Sequence, residues 1–227
     1  MRCQDPAVRG FILGSAVPGT FSAGLNLPEL LVSADGSVDA LAEYWTLVQE
    51  LWLALYTTPL ATVAALPGHC IAAGCVLSLS CDGRVMVDGK GLTGLNETTF
   101  GLAPPPWLSR LFIDILGNRR LGEDMLMRGL LVNPDEALSL GLVDTTVPLY
   151  RLSEEAQSRL GALLAVPDAA RSAVKLQLRS DAAEALRNAQ SEDLDAFVSL
   201  ASSDATQLAV SKHLEALASK KDVEAGE

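Results

Sequence analysis

The stretch Leu60–Val87, LATVAALPGHCIAAGCVLSLSCDGRVMV, carries the reading of the fold. Leu60 to Leu66 is a short apolar run between two prolines, the length of a buried strand. Pro67-Gly68-His69 turns the chain. Ala72 to Ser80 is a helix-length run of small residues, and Arg84 to Val87 reads as a further strand. Strand, turn, helix and strand in such close order is the repeating pattern of parallel pairing with crossover helices, which predicts an α/β fold.

The pattern extends in both directions. Arg9 to Ser15 reads as a short buried strand, followed by the turn-rich loop AVPGTFSAGLN. From Asp39 to Tyr56, the residues Leu41, Tyr44, Trp45, Val48, Leu51, Trp52 and Leu55 recur at helical spacing, and Pro59 stops the helix. Downstream, Arg110–Leu116 and Leu121–Arg128 read as helices parted by Gly117-Asn118. Asp135–Leu140 is a short helix ended by Gly141. Alternation stops near Pro148. Beyond it Ser153 is expected to cap a helix with Glu154 and Glu155 in its first turn, and Pro167 to end it. Two or three more helices reach about Lys220, with Leu194, Phe197, Val198 and Ala201 as an apolar stripe. The expected organisation is an α/β core over 1–150 and a helical region over 151–227.

Composition narrows the function classes. The chain has 227 residues, 49% hydrophobic and 20% charged, with a net charge of −11. It has enough apolar material for a sizeable core. The negative balance argues against nucleic acid and anionic membrane surfaces, which need basic patches. Between Leu51 and Asp82 only His69 can carry a charge, but Thr57-Thr58-Pro59 and Pro67-Gly68 interrupt the run, so buried core is expected rather than a membrane span. The N-terminus MRCQDPAVRGF has neither signal-peptide nor transit-peptide character. Cys3, Cys70, Cys75 and Cys81 include no CxxC pair, so buried thiols are expected and no metal site. A nucleophilic Cys70–His69 pair is disfavoured, because neighbours on an extended segment face opposite ways.

Three stretches carry chemistry, and a fourth, GKGLTG, only matches a motif in form. GKGLTG matches a dinucleotide fingerprint at Gly89, Gly91 and Gly94, but Pro104–Pro106 cut short the helix that should open there. FSAGLNL (21–27) and HCIAAGCVLSLSCD (69–82) set small residues at bends, where backbone N–H groups can approach a ligand oxygen. GLNETTFGLAPPPWL (94–108) holds a single carboxylate, Glu97, among Leu95, Phe100, Leu102, three prolines and Trp107. A carboxylate buried without a partner costs several kcal/mol unless its pKa rises. Asn96 is positioned to cap a helix with Glu97 in its first turn, an opposing effect that desolvation should outweigh.

Together FSAGLNL, HCIAAGCVLSLSCD and GLNETTFGLAPPPWL resemble the signature segments of the crotonase (enoyl-CoA hydratase/isomerase) superfamily. Within it they are similar to the branch of mitochondrial Δ3,Δ2-enoyl-CoA isomerases. The likeness runs from about Val8 to Leu217, with a first strand pair and helix of the family apparently missing. It implies a crotonase-like spiral of ββα units, a C-terminal helical trimerisation region and an acyl-CoA substrate. It further implies a homotrimer in the mitochondrial matrix, with no cofactor beyond the coenzyme A of the substrate. Carried over by position, the backbone N–H groups of Leu25 and Ala73 would form an oxyanion hole. Ala23, Gly24, Leu27, Gly74, Val76, Phe100 and Trp107 would line the substrate site. Glu97 would be the catalytic base. Family hydratases use two glutamates, and Val76 stands at the position of the first, so the resemblance implies isomerisation of 3-enoyl-CoA to trans-2-enoyl-CoA by one base. Alternatives are a non-catalytic acyl-CoA-binding subunit, or another crotonase reaction such as thioester hydrolysis. Ala73 stands where relatives usually have Gly, and Asn26 where they have Asp. Arg9, Lys90 and the C-terminal lysines are the candidates for the coenzyme A phosphates.

Overall fold

The computed structural model describes residues 7–32 and 37–225. Cys3 and most of the N-terminal segment read above lie outside them. The chain winds as a spiral whose successive turns each lay one strand into each of two parallel sheets. The first turn contributes β1 (Gly10–Leu13), β2 (Thr20–Ser22) and helix α1 (Asp39–Tyr56). The second contributes β3 (Ala61–Leu66), β4 (His69–Ile71) and α2 (Ala73–Ser80). The third contributes β5 (Gly83–Val87), β6 (Thr93–Gly94) and then α3 (Pro106–Leu116) and α4 (Arg119–Arg128). After α5 (Pro134–Ser139), β7 (Thr145–Val147) closes the larger sheet, in the order β1-β3-β5-β7. The smaller sheet is β2-β4-β6. Every strand pair is parallel, with Phe11 beside Thr62, Ala65 beside Val85 and Val85 beside Thr145 in the larger sheet.

Burial on both faces explains the strand sequences. β3 is buried at all six positions and β5 at all five, so neither alternates apolar and polar residues. One face of the larger sheet packs α6 (Leu152–Leu164) through Leu152, Ala156, Leu160 and Leu163. The other face joins the main core, where α1 contributes Trp52 and Leu55, α2 Cys75, Val76 and Leu79, and α3 Leu108, Leu111 and Phe112.

Several boundaries differ from the sequence reading. β2 and β4 fall where turns were expected, and β6 where no element was assigned, because two or three residues are too few to show a period. Ser153 does not cap α6. The N-cap is Arg151, and Ser153 Oγ accepts from Gln157 Nε2 at 3.3 Å. Pro167 lies beyond the end of α6 at Leu164 and instead precedes α7 (Asp168–Ala201), a single helix of 34 residues. A turn at Ser202-Ser203 leads into α8 (Asp204–Ala225).

α7 is tied to the spiral by a buried charge cluster. Lys175 Nζ donates to Asp82 Oδ2 and to the Leu60 carbonyl, both at 2.9 Å. Arg179 pairs with Asp82 Oδ1 at 3.0 Å and donates to the carbonyls of Tyr56 and Ser80. Asp82 Oδ2 also accepts from the Thr62 N–H at 2.9 Å. One carboxylate therefore joins the start of β3, the end of α2 and the first half of α7.

Candidate active site

The loop after β2 holds the first stretch. Gly24 sits at φ +103, a conformation that suits glycine. Its N–H donates to Ser22 Oγ at 3.2 Å, and the Asn26 N–H donates to the Tyr44 hydroxyl at 3.0 Å. Between them, the Leu25 N–H has no acceptor among the described residues.

The second stretch turns from β4 into α2 at Ala72, which has φ +51 and ψ −129 and is the only described non-glycine residue at positive φ. Its N–H donates to the Gly94 carbonyl at 2.9 Å, which fixes the turn against β6. Ala73 is the first residue of α2, so its N–H has no intrahelical partner and points out of the helix end. The glycine-like backbone thus falls at Ala72, one residue before the position singled out from sequence. The two loops touch. A Cβ built on Gly24 would lie 2.8 Å from the Ala72 Cβ and 3.5 Å from the Ala73 nitrogen.

Glu97 opens a 3-10 turn, Glu97–Phe100, closed by Gly101 at φ +85. Asn96 precedes it but makes no side-chain cap. Its carbonyl accepts from Thr99 N–H and Thr99 Oγ1 instead. Thr98 Oγ1 donates to the Leu126 carbonyl at 2.7 Å and so pins the turn to α4. Glu97 Oε2 is fully enclosed and has no hydrogen-bond partner. Burial raises the Glu97 pKa to about 7, against a weaker lowering by its own backbone N–H.

Two cavities meet at this point. One, of about 400 Å³, is lined by Ala23, Leu25, Leu27, Ala72, Glu97 and Phe100, and walled on one side by His213, Leu214 and Leu217 of α8. The other, of about 300 Å³, is lined by Gly24, Leu25, Ala73, Val76 and Trp107 with Tyr44, Val48 and Trp52 of α1. Leu25 borders both. Gly74 lines neither: a Cβ there would come within 2.8 Å of Ser22 atoms, so its small size lets β2 pack on α2. The α8 residues were missed from sequence, because α8 is far along the chain and its apolar face carries no motif.

Other candidates fall away from these cavities. Arg9 is bound to Asp168 at 2.6 Å and to the Leu164 carbonyl, and neither it nor Lys90 lines either cavity. Cys70 is fully buried while His69 is exposed, so the two side chains diverge. Burial pushes the Cys70 thiol pKa up, and those of Cys75 and Cys81 to about 11, far from a reactive thiolate. Gly94 of the fingerprint-like run lies in β6, with no helix opening from it.

Known proteins place this architecture. Residues 2–222 match the enoyl-CoA hydratase/isomerase family. The chain is 40% identical over 219 residues to mouse "Enoyl-CoA delta isomerase 1, mitochondrial", covering 96% of this chain and 74% of the relative. The human protein of the same name is also 40% identical, with 71% of its length covered. The crystal structure of human mitochondrial delta3-delta2-enoyl-CoA isomerase superposes with a TM-score of 0.92 at 40% identity, covering 96% of this chain and 83% of that one. An enoyl-CoA hydratase from Bacillus halodurans gives a TM-score of 0.81 at 26% identity, over 92% and 83% of the two chains. The chain therefore belongs to the enoyl-CoA hydratase/isomerase family, with the parallel ββα spiral and C-terminal helices described above.

Proposed function

We propose that this chain converts 3-enoyl-CoA to trans-2-enoyl-CoA, with Glu97 as the only base. The observation that carries the proposal is the unpartnered, enclosed Oε2 of Glu97, whose pKa of about 7 suits a group that must both take and return a proton. No second carboxylate lines either cavity among the described residues, and Val76 offers an apolar wall where a water would otherwise be held. Hydration needs a positioned and activated water. A double-bond shift needs only one proton moved along the chain.

In this mechanism the thioester carbonyl lies where the two cavities meet, accepting from the N–H groups of Leu25 and Ala73. Glu97 removes a proton from C2. The electron pair spreads over a dienolate whose oxygen gains charge, and the two N–H groups stabilise that charge. Loss of one such donor typically costs ~10²–10³ in rate. Glu97 then delivers the proton to C4, leaving the double bond conjugated at C2. The polar groups Asn26, Asn96 and His213 belong to the first cavity and suit the amides of the pantetheine arm. C2 to C4 then lie beside Glu97 where the cavities meet, and the second cavity, with no charged lining residue, suits the rest of the acyl tail. The substrate brings its own coenzyme A, and the chemistry needs no other cofactor. A homotrimer in the mitochondrial matrix, serving oxidation of unsaturated fatty acids, is the setting consistent with the named relatives.

The test is direct. The purified chain, given a 3-enoyl-CoA, should yield the conjugated 2-enoyl thioester. Glu97→Gln should lower turnover by about 10³-fold or more while acyl-CoA binding persists. Binding without turnover in the unmodified protein would favour a non-catalytic subunit. Release of free coenzyme A thiol would favour hydrolysis.

A further inference from the structure

A third cavity, of about 430 Å³, lies between α3 and α7, walled by Ala182, Ala185, Leu186 and Ala189 together with Arg110, Glu192 and Asp193. Trp107 is the one residue that lines both this cavity and the apolar cavity beside Val76. Its indole is held on several sides. The Trp52 ring sits 4.9 Å away and the Trp45 ring 6.1 Å away, both tilted to it. Its Nε1 donates to Asp193 Oδ1 at 3.0 Å. Asp193 is itself fixed through its other oxygen, which accepts from Trp45 Nε1 at 2.9 Å and from the buried Gln49 Nε2 at 2.7 Å. Trp45 in turn stacks on Phe197 of α7 at 3.6 Å. A hydrogen-bonded carboxylate on α7 thus sets the angle of the ring that ends the tail cavity.

We propose that Trp107 is a chain-length gate, a partition latched by Asp193 that stops the acyl tail within the cavity beside Val76 and, when displaced, opens the third cavity to longer tails. The alanines of α7 and Leu186 leave room for a polymethylene chain, beside the charged side chains of Arg110, Glu192 and Asp193, of which Arg110 and Glu192 are exposed and Asp193 is held by Trp107, Trp45 and Gln49. Trp107 determines specificity by bulk, and Asp193 is a positioning residue acting through it.

The gate rests on the acyl-CoA reading above, but binding of saturated thioesters measures it without turnover. Hexanoyl-CoA and dodecanoyl-CoA affinities are compared by calorimetry for the unmodified protein, Trp107→Ala and Trp107→Leu, the last as the milder variant should alanine fail to fold. Each methylene newly buried should tighten binding about fourfold, so the dodecanoyl-to-hexanoyl preference should rise by about tenfold or more in either folded variant. Adding Ala189→Leu to Trp107→Ala should narrow the third cavity and move the preference back toward the original. Asp193→Ala should shift the preference the same way but less, and Asp193→Asn, which keeps one acceptor, should lie closer to the unmodified protein. An unchanged preference in folded Trp107 variants overturns the gate, and failure of Ala189→Leu to move the preference back overturns the route. A responsive preference in a protein that isomerises nothing would sink the isomerase proposal and keep the gate. Absence of any acyl-CoA binding would overturn both.

Discussion

Glu97 enters the folded protein more easily as an acid than as an anion, because its enclosed oxygen meets no donor or cation. Its folded pKa of about 7 exceeds the ordinary 4.5, so the unfolded chain loses this proton first. The residue therefore costs nothing below about pH 4.5, costs progressively more between 4.5 and 7, and its full cost is present above 7. Glu97→Gln should match the unmodified protein in stability at pH 4.5 and exceed it at pH 8 by on the order of 2–3 kcal/mol, measurable by urea unfolding at the two pH values. Activity should move the opposite way, with kcat/KM falling about tenfold per unit below pH 7 as the base is protonated. Ala72 makes a second prediction. Its positive φ costs of order 1–3 kcal/mol for a residue with a Cβ, offset in part by the unfolded-state entropy that glycine adds. Ala72→Gly should raise stability by about 1 kcal/mol, seen as an increase in Tm, because the same backbone would be held without strain.

Secondary-structure elements differ in how openly they announce themselves. α1 was legible because its buried residues Leu41, Trp45, Trp52 and Leu55 share one helical face. β4 was not, since its three residues pair with neighbours that lie far apart in sequence, Thr20 and Thr93. α7 shows the reverse problem. It joins the spiral through Lys175, Arg179 and Asp82 as much as through an apolar stripe, and no local pattern marks Asp82 as the anchor. Asp82→Ala would leave the buried Lys175 and the partly buried Arg179 without their carboxylate and remove the acceptor of the Thr62 N–H. It should cost about 3–5 kcal/mol in chemical denaturation, with the loss spread over β3, α2 and α7 rather than confined to a loop.

Across the whole molecule, the order of the three motifs anticipated the enoyl-CoA hydratase/isomerase family to which the chain belongs. No helix among the described residues is long and apolar enough to cross a membrane. The loops of the candidate site come from three successive spiral turns, bringing Leu25, then Ala73, then Glu97. α8 returns from the far end of the chain to close the cavity around Glu97 with His213, Leu214 and Leu217. The proposed homotrimer makes a simple expectation: light scattering after gel filtration should give three times the chain mass of 23.9 kDa, and a monomer would remove that part of the proposal.

Local chemistry was enough to place the strand–turn–helix rhythm, the small-residue bends that free two N–H groups, and a lone carboxylate among apolar neighbours. Each of these depends on residues a few positions apart, where spacing translates directly into geometry. The pairing of the smaller sheet, the fall of the strained backbone at Ala72 rather than Ala73, the α8 wall and the Trp107–Asp193 hydrogen bond depend on contacts between segments tens to more than a hundred residues apart. Such contacts exist only once the spiral has closed, because burial, and with it the raised pKa of Glu97, is a property of what packs around a residue and not of its neighbours along the chain.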